Sequence, residues 1–375
     1  MNSPAMHIRA QAQPPYLHSL DLLRGLAAIL VCLYHTGFLF TRHFVMLPGG
    51  YLCVDVFFLL SGFVIARTYD PRLAAGLRIA GFCVQRLARL YPLFVMTTIL
   101  GFAAVVARLH HDGNTVFTAT AAWTLLANLL LIPNILHPYG LTQMFPFNGA
   151  AWSVFFEFYV NVFFVVLWKR LDSRRLIGLA LVSGLLLIFA GADMHTLDIG
   201  DKTADIFAAV PRVVFSFTMG VLICRHGTAY PRLRGTWPSL AGLAIVAIAI
   251  SMRGIVPEPG AWLLDVGTVL VVFPMVLVAF TRMDFSRPYV QVAAFFGNIS
   301  YSVYLLQTPL MIFYSGLPEL VLQKKVATLV PWAGPVFVLL VIAASYLIWR
   351  YFEIPAKRWI RDWQASVAAQ MVATH

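Results

Sequence analysis

Arg24 and His35 stand eleven residues apart in LDLLRGLAAILVCLYH (Leu20–His35), a stretch that is otherwise almost wholly apolar. On a helix, eleven steps of 100° return to nearly the same azimuth, with a rise of roughly 16 Å. Both side chains therefore point into one groove at different depths. A charge placed in lipid costs about 3 kcal/mol, so that groove is expected to face the interior of a helix bundle. An imidazole changes charge near neutral pH, which suits it to general-base work. Each residue also has a plainer reading. Arg24 can snorkel from a helix end to the interface, and His35 can be a buried histidine bonded to a backbone carbonyl.

Three more stretches carry groups that could act with these two. GYLCVDVFFLLSGFVIA (Gly50–Ala66) has Asp55 five residues from its start, at a depth matching His35 in an antiparallel neighbour. A carboxylate there can hold the imidazole tautomer and stabilise its cation; the alternative is an interfacial aspartate capping the helix start. NGAAWSVFFEFYV (Asn148–Val160) puts Glu157 near the middle of a span, with Ser153 on the same face at i, i+4. An intramembrane glutamate marks a candidate site, or it neutralises an intramembrane arginine such as Arg212. CVQRLARLYP (Cys83–Pro92) sets Arg86 and Arg89 at i, i+3. Paired guanidiniums on one helix face suit a phosphate group. Positive-inside anchoring at the cytoplasmic face accounts for them with no ligand and, taken alone, is the stronger account.

The elements that hold these residues follow from composition. The chain has 375 residues, 60% hydrophobic and 11% charged, far more apolar than a soluble domain of this length. Many runs approach 20 residues with little charge, the length of a membrane-spanning helix. Lipid admits only helices or closed barrels, and continuous rather than alternating apolar runs choose helices. The expected fold is all-α, a polytopic transmembrane bundle of about ten spans. They fall at 19–40, 50–66, 90–107, 149–168, 176–192, 208–224, 238–252, 261–280, 290–313 and 330–350. With the N-terminus inside, 19 of the 27 Lys and Arg lie in cytoplasmic segments and six in outer loops, while Arg24 and Arg212 lie within spans. This bias sets both termini in the cytoplasm, and it accounts for the net charge of +11 without a nucleic-acid partner.

TLLANLLLIPNIL (Thr124–Leu136) is apolar but short, and Pro133 breaks it. A crossing there would move every later basic loop outside, so a re-entrant or interfacial helix in the outer loop 108–148 is expected. The expected division is a cytoplasmic tail over 1–18, a transmembrane domain over 19–355 and a second cytoplasmic tail over 356–375. Residues 1–18 are polar and contain proline, unlike a secretory signal peptide. Cys32, Cys53, Cys83 and Cys224 are scattered without a C-x-x-C, so no metal site and no disulfide framework is expected.

Taken in order, these stretches resemble the acyltransferase 3 family of integral membrane acyltransferases. Arg24 and His35 match its arginine, ten residues, then histidine. DVFFLLSGF (Asp55–Phe63), RLARLYP (Arg86–Pro92), WSVFFEFYV (Trp152–Val160), GNISYSVYLLQTP (Gly297–Pro309) and FEIPAKR (Phe352–Arg358) resemble its later motifs. One departure is Gln307, where the family motif commonly carries histidine. The resemblance implies an O-acyltransferase in the inner or plasma membrane. It would move an acyl group, acetyl first among them, from cytoplasmic acyl-CoA to a hydroxyl of a cell-surface carbohydrate or similar acceptor. Acyl-CoA would be a co-substrate, with no metal. His35 would be the base, with Asp55 and Glu157 beside it, and Arg24, Arg86 and Arg89 would hold the coenzyme A phosphates. Asn148, Trp152, Ser153 and Tyr301 would contact substrate. The roughly 16 Å between Arg24 and His35 is a sensible length for the pantetheine arm. A homodimer is compatible with this reading.

A secondary transporter or flippase is the competing reading, because intramembrane charges suit it too. Paired broken helices in two matching halves, its usual mark, are not evident. A sensor or scaffold without chemistry leaves the register of Arg24, His35 and Asp55 unexplained. Reporter fusions after Arg67, Arg175, Arg234 and Arg287 are expected to read inside. Outside readings after Arg175 and Arg234, with Arg67 inside, would mean that 124–136 crosses the membrane.

Overall fold

The computed structural model describes residues 16–39, 47–113, 118–227, 233–234, 237–257, 259–323, 326–329, 331–360 and 362–363. Most of both expected tails lies outside them, as do the topological charges Arg9, Arg42, Arg232, Lys324, Lys325 and Arg361. The long apolar runs fold as helices: α1 (His18–His35), α2 (Cys53–Ala74), α3 (Ile79–His111), α4 (Ala119–Leu129), α5 (Ala151–Leu167) and α6 (Ser173–Met194). These are followed by α7 (Ile206–His226), α8 (Trp237–Met252), α9 (Ala261–Gly267), α10 (Phe273–Thr281), α11 (Arg287–Leu322) and α12 (Ala333–Ile348). A π-helical turn, Thr268–Val272, joins α9 to α10, and another, Trp349–Glu353, extends α12. The β-structure among the described residues is a two-residue parallel pairing of Leu233–Arg234 with Met283–Asp284 and an isolated bridge between Gln143 and Lys202.

Seven helical stretches among the described residues are long and apolar enough to cross a membrane. Their outward faces are apolar as well. On α6, Leu181, Val182, Leu185 and Phe189 are all exposed, a pattern that fits a hydrocarbon solvent and not water. Each expected span falls on a helix, but several helices run on past it. α2 continues eight residues beyond 66, and α3 begins at Ile79, eleven residues before 90. Hydropathy marks the lipid-facing portion only, whereas the helical hydrogen-bond ladder continues into the polar interface. α4 has 11 residues, a rise of about 16 Å, roughly half of the ~30 Å hydrocarbon core. Thr118 caps its start, and Tyr91 and Asn128 tie down the chain that leaves it.

Two helix pairs set the framework for the polar residues. α1 and α11 run parallel and almost touch. A Cβ on Gly25 would lie 2.4 Å from Cβ of Phe296, and one on Gly297 would lie 2.5 Å from Cβ of Asp21. α2 and α7 meet in the same way: a Cβ on Gly62 would lie 2.0 Å from the Phe217 carbonyl oxygen, and one on Gly220 would lie 2.0 Å from that of Leu59. Small residues at such crossings let backbones approach closely where lipid offers no hydrophobic drive to associate. The first pair positions Arg24 and His35, and the second positions Asp55 and Arg212.

Candidate active site

Arg24 sits one residue before the Gly25 contact, so its guanidinium reaches across to α11. It donates from Nε to the Ser300 hydroxyl (3.0 Å) and from Nη2 to the Gly297 carbonyl (2.8 Å) and the Asp21 carboxylate (3.1 Å). Further along the same pair, Nδ1 of His35 lies 3.1 Å from Oε1 of Gln307. Both residues of the eleven-residue spacing therefore face α11. Gln307 is fully buried, and its Nε2 donates to the Tyr304 carbonyl at 3.0 Å.

Asp55 lies elsewhere. Its carboxylate accepts from Nε of Arg212 at 2.8 Å and from the Ser216 hydroxyl at 3.3 Å. Arg212 also donates to the carbonyls of Ile199 (3.0 Å) and Tyr51 (2.9 Å), and its guanidinium lies over the Trp152 ring, 5.6 Å from the centroid. Both members of the ion pair are 1% exposed. The expectation that Asp55 orients His35 is corrected here: α7 runs beside α2 and delivers a guanidinium to that carboxylate, whereas Gln307 bonds the imidazole. The azimuth of a helix relative to a third one was not legible in the sequence.

Glu157 is likewise paired, though not with Arg212. Nη2 of Arg86 meets its Oε1 at 2.6 Å, and the Ser61 hydroxyl donates to the same oxygen at 3.0 Å. The Arg86 side chain is 4% exposed. Arg89, one helical turn on, is exposed and makes no hydrogen bond or ion pair with any described residue. The arginine pair thus divides into a buried structural member and an available one.

Some of these residues line a cavity of about 830 Å³. It lies where α1 and α3 begin and α2 and the α12 extension end. Arg24, Arg86, Arg89, Glu157, Ser153 and Tyr301 line it; His35, Asp55, Asn148 and Trp152 do not. Its wall carries six basic side chains, Arg24, Arg67, Arg72, Arg86, Arg89 and Lys357, against three acidic ones, Asp21, Glu157 and Glu353. Glu353, in the π-turn, accepts from Lys357 at 2.6 Å and from the Ser302 hydroxyl. Tyr16, at the mouth, donates to Asp21 at 3.2 Å; burial and that carboxylate push its phenol above the ordinary range. The inner end reaches Phe57, Ser153 and Tyr304, with the Ser153 and Tyr304 hydroxyls 2.8 Å apart. Tyr304 is one turn before Gln307 on α11.

Asn148 is fully buried and donates to Thr97 (3.0 Å) and the Leu305 carbonyl (3.1 Å), joining α3, α5 and α11. Tyr301 lines the cavity while its hydroxyl bonds the Leu90 carbonyl at 2.8 Å. Arg67, Arg72 and Lys357 also line the cavity, though they are not among the site residues expected from the sequence. Their position at helix ends was the available clue. Among the described residues, no three or more His, Cys, Asp or Glu side chains gather as a metal site.

The acyltransferase domain model of the acyltransferase 3 family matches residues 17–350, and the chain belongs to that family. It is an acyltransferase built of membrane helices. A Rhizobium radiobacter protein named for its place in the picA locus is 32% identical over 202 residues, 49% of this chain and 99% of that protein. An Acidianus two-tailed virus protein named "putative acetyltransferase" is 23% identical over 76% of this chain and 80% of its own length. A Staphylococcus aureus protein named "putative O-acetyltransferase" is 24% identical over 77% of this chain, and the match spans half of that longer protein. No solved structure matches the chain.

Removing one member of a buried ion pair leaves an uncompensated charge, at a cost of about 3–5 kcal/mol. Arg212→Met is therefore expected to lower thermal stability in detergent sharply. Arg212→Met with Asp55→Leu should recover much of the loss, as replacing both charges often does. A single variant as stable as wild type would show that the pair does not hold α2 to α7.

Proposed function

We propose that the protein transfers an acyl group, acetyl in the first instance, from acyl-CoA in the cytoplasm to a hydroxyl of a carbohydrate acceptor on the far side of the membrane. The observation that carries this reading is the net basic cavity with Arg89, which has no hydrogen-bond or ion-pair partner among the described residues, in its wall. A coenzyme carrying several phosphates is the kind of donor such a wall suits, because guanidinium–phosphate bonds are charge-assisted. Arg89 supplies the available guanidinium, and the rim cations Arg72 and Lys357 stand nearby. The pantetheine arm runs inward toward Ser153 and Tyr304, and its reacting end comes within one helical turn, about 5 Å of rise, of Gln307 and so of His35.

His35 acts as the base. It takes the proton of the acceptor hydroxyl as that oxygen attacks the thioester carbonyl. The carbon–sulfur bond breaks, and the leaving thiolate collects the proton from the imidazolium, giving an ester and free coenzyme A. Holding both reactants in one site supplies proximity, and the apolar surroundings limit hydrolysis of the thioester. Glu157, bonded to Arg86 and Ser61, keeps the inner cavity wall in place beside this path.

The membrane arrangement belongs to the same reading. Ten helical spans cross, with both termini cytoplasmic and the cavity opening on that side. α4 dips into the outer face without crossing, and 19–355 forms one transmembrane unit in the inner or plasma membrane between the two tails. The short length of α4 and the 19-to-6 bias of basic residues support this.

Arg89→Gln is expected to weaken acetyl-CoA binding about tenfold, the worth of one charge-assisted bond, without loss of folded protein. Arg86→Gln, which strands Glu157, should instead lower thermal stability. Titration calorimetry and melting curves in detergent separate the two, and wild-type affinity in Arg89→Gln would remove the phosphate assignment. His35→Gln should keep donor binding and cut coenzyme A release in acceptor-containing membranes by about 100- to 10,000-fold. Near-normal release would make His35 structural.

A further inference from the structure

Gln307 makes two hydrogen bonds that between them fix the proton on His35. The amide nitrogen donates to the Tyr304 carbonyl at 3.0 Å. A carbonyl only accepts, so the nitrogen must face that side, and the amide cannot be turned over without setting oxygen against oxygen. The amide oxygen is thereby left facing Nδ1 of His35 at 3.1 Å. An amide oxygen also only accepts. In the neutral imidazole Nδ1 must then carry the hydrogen, and Nε2 carries the lone pair. Gln307 is fully buried, so no solvent is at hand to repair a mismatch, and an unsatisfied buried donor or acceptor would be costly.

We infer that Gln307 is the positioning residue for the base, holding His35 with the hydrogen on Nδ1 and the basic lone pair on Nε2. A carboxylate would set the same tautomer but would bring a further charge into the bundle, where the Asp55 carboxylate already needs Arg212. A neutral amide sets it by shape alone. Its anchor is the helix backbone: Tyr304 and Gln307 are i and i+3 on α11, so the acceptor that orients the amide moves with the residue that carries it. Among the described residues, the groups nearby include Tyr34, whose ring centroid lies 5.3 Å from that of His35, and Asp198, which accepts from the Tyr34 hydroxyl at 2.6 Å. Neither replaces the amide oxygen at Nδ1.

This inference rests on His35 being the base, and its test is arranged so that the two can fail separately. Protein labelled with 15N-histidine is reconstituted in liposomes, and solid-state NMR reads the tautomer of His35. Its signal is picked out of the ten histidines by its absence from His35→Gln. The wild-type signal is expected to show Nδ1 protonated and Nε2 unprotonated. In Gln307→Met, which keeps the volume but offers Nδ1 no oxygen, the signal should shift toward the Nε2-protonated form. In that variant kcat should fall at least about tenfold, a fraction of the worth of a general base, with KM for acetyl-CoA unchanged. An Nε2-protonated imidazole in wild type overturns the inference, even if Gln307→Met cannot be purified. An unshifted tautomer or unchanged kcat in Gln307→Met overturns it as well. Full turnover by His35→Gln would instead sink the base assignment and leave the tautomer result standing.

Discussion

A charge taken into lipid has to be met inside the protein, and this constraint organises the molecule. Arg212 is met by Asp55, Arg86 by Glu157, Arg24 by Asp21, and Arg225 by Asp70. All but the Arg24–Asp21 pair, which lies within α1, join helices that the apolar surface would leave free to slide, because lipid gives helices no hydrophobic reason to associate. The pairs at Asp55 and Asp70 tie α2 to α7 near opposite ends of both helices. The pair at Glu157 ties α3 to α5 through the wall of the cavity. Among the described residues, the guanidinium of Arg89 has no such partner, and it is set in a wall that carries more positive than negative charge.

The same constraint suits the neutral groups that surround His35. His35, Gln307, Tyr304 and Ser153 form a run of hydrogen-bonded side chains and backbone that adds no charge to the bundle interior. The parallel α1–α11 pair is its scaffold. Gly25 and Gly297 bring the two backbones together at one end, where Arg24 is locked to Ser300 and the Gly297 carbonyl. The register set there carries His35 to Gln307 eleven residues later. A donor held by phosphates at the basic end and an acceptor hydroxyl at the neutral end would meet along one helix pair.

The helices were legible in the sequence because long apolar runs have few alternatives in a bilayer. Their ends were not: 67–74 and 79–89 are polar enough to look like loops, yet they continue α2 and α3 into the interface. α4 starts earlier than the apolar stretch 124–136, at Ala119, and ends within it at Leu129, four residues before Pro133. The shared face of Arg24 and His35 followed from helical periodicity alone. Partner choice did not, because it depends on how third helices are rotated. Asp55 was expected beside His35 but meets Arg212, and Glu157 meets Arg86 where Arg212 had been its alternative. Gln307 stood out only as a departure from the family motif, and its two hydrogen bonds became visible once α11 was placed beside α1.

Sidedness is the most direct test of the central claim that donor and acceptor meet from opposite faces of the membrane. Right-side-out and inside-out vesicles are prepared from cells that make the protein and its acceptor, and acetyl-CoA labelled in the acetyl group is added to the outside of each. Label should enter acceptor, with release of free coenzyme A, only in the inside-out vesicles, where the cavity faces the medium. Equal incorporation in both preparations, or incorporation only in the right-side-out vesicles, would contradict the account.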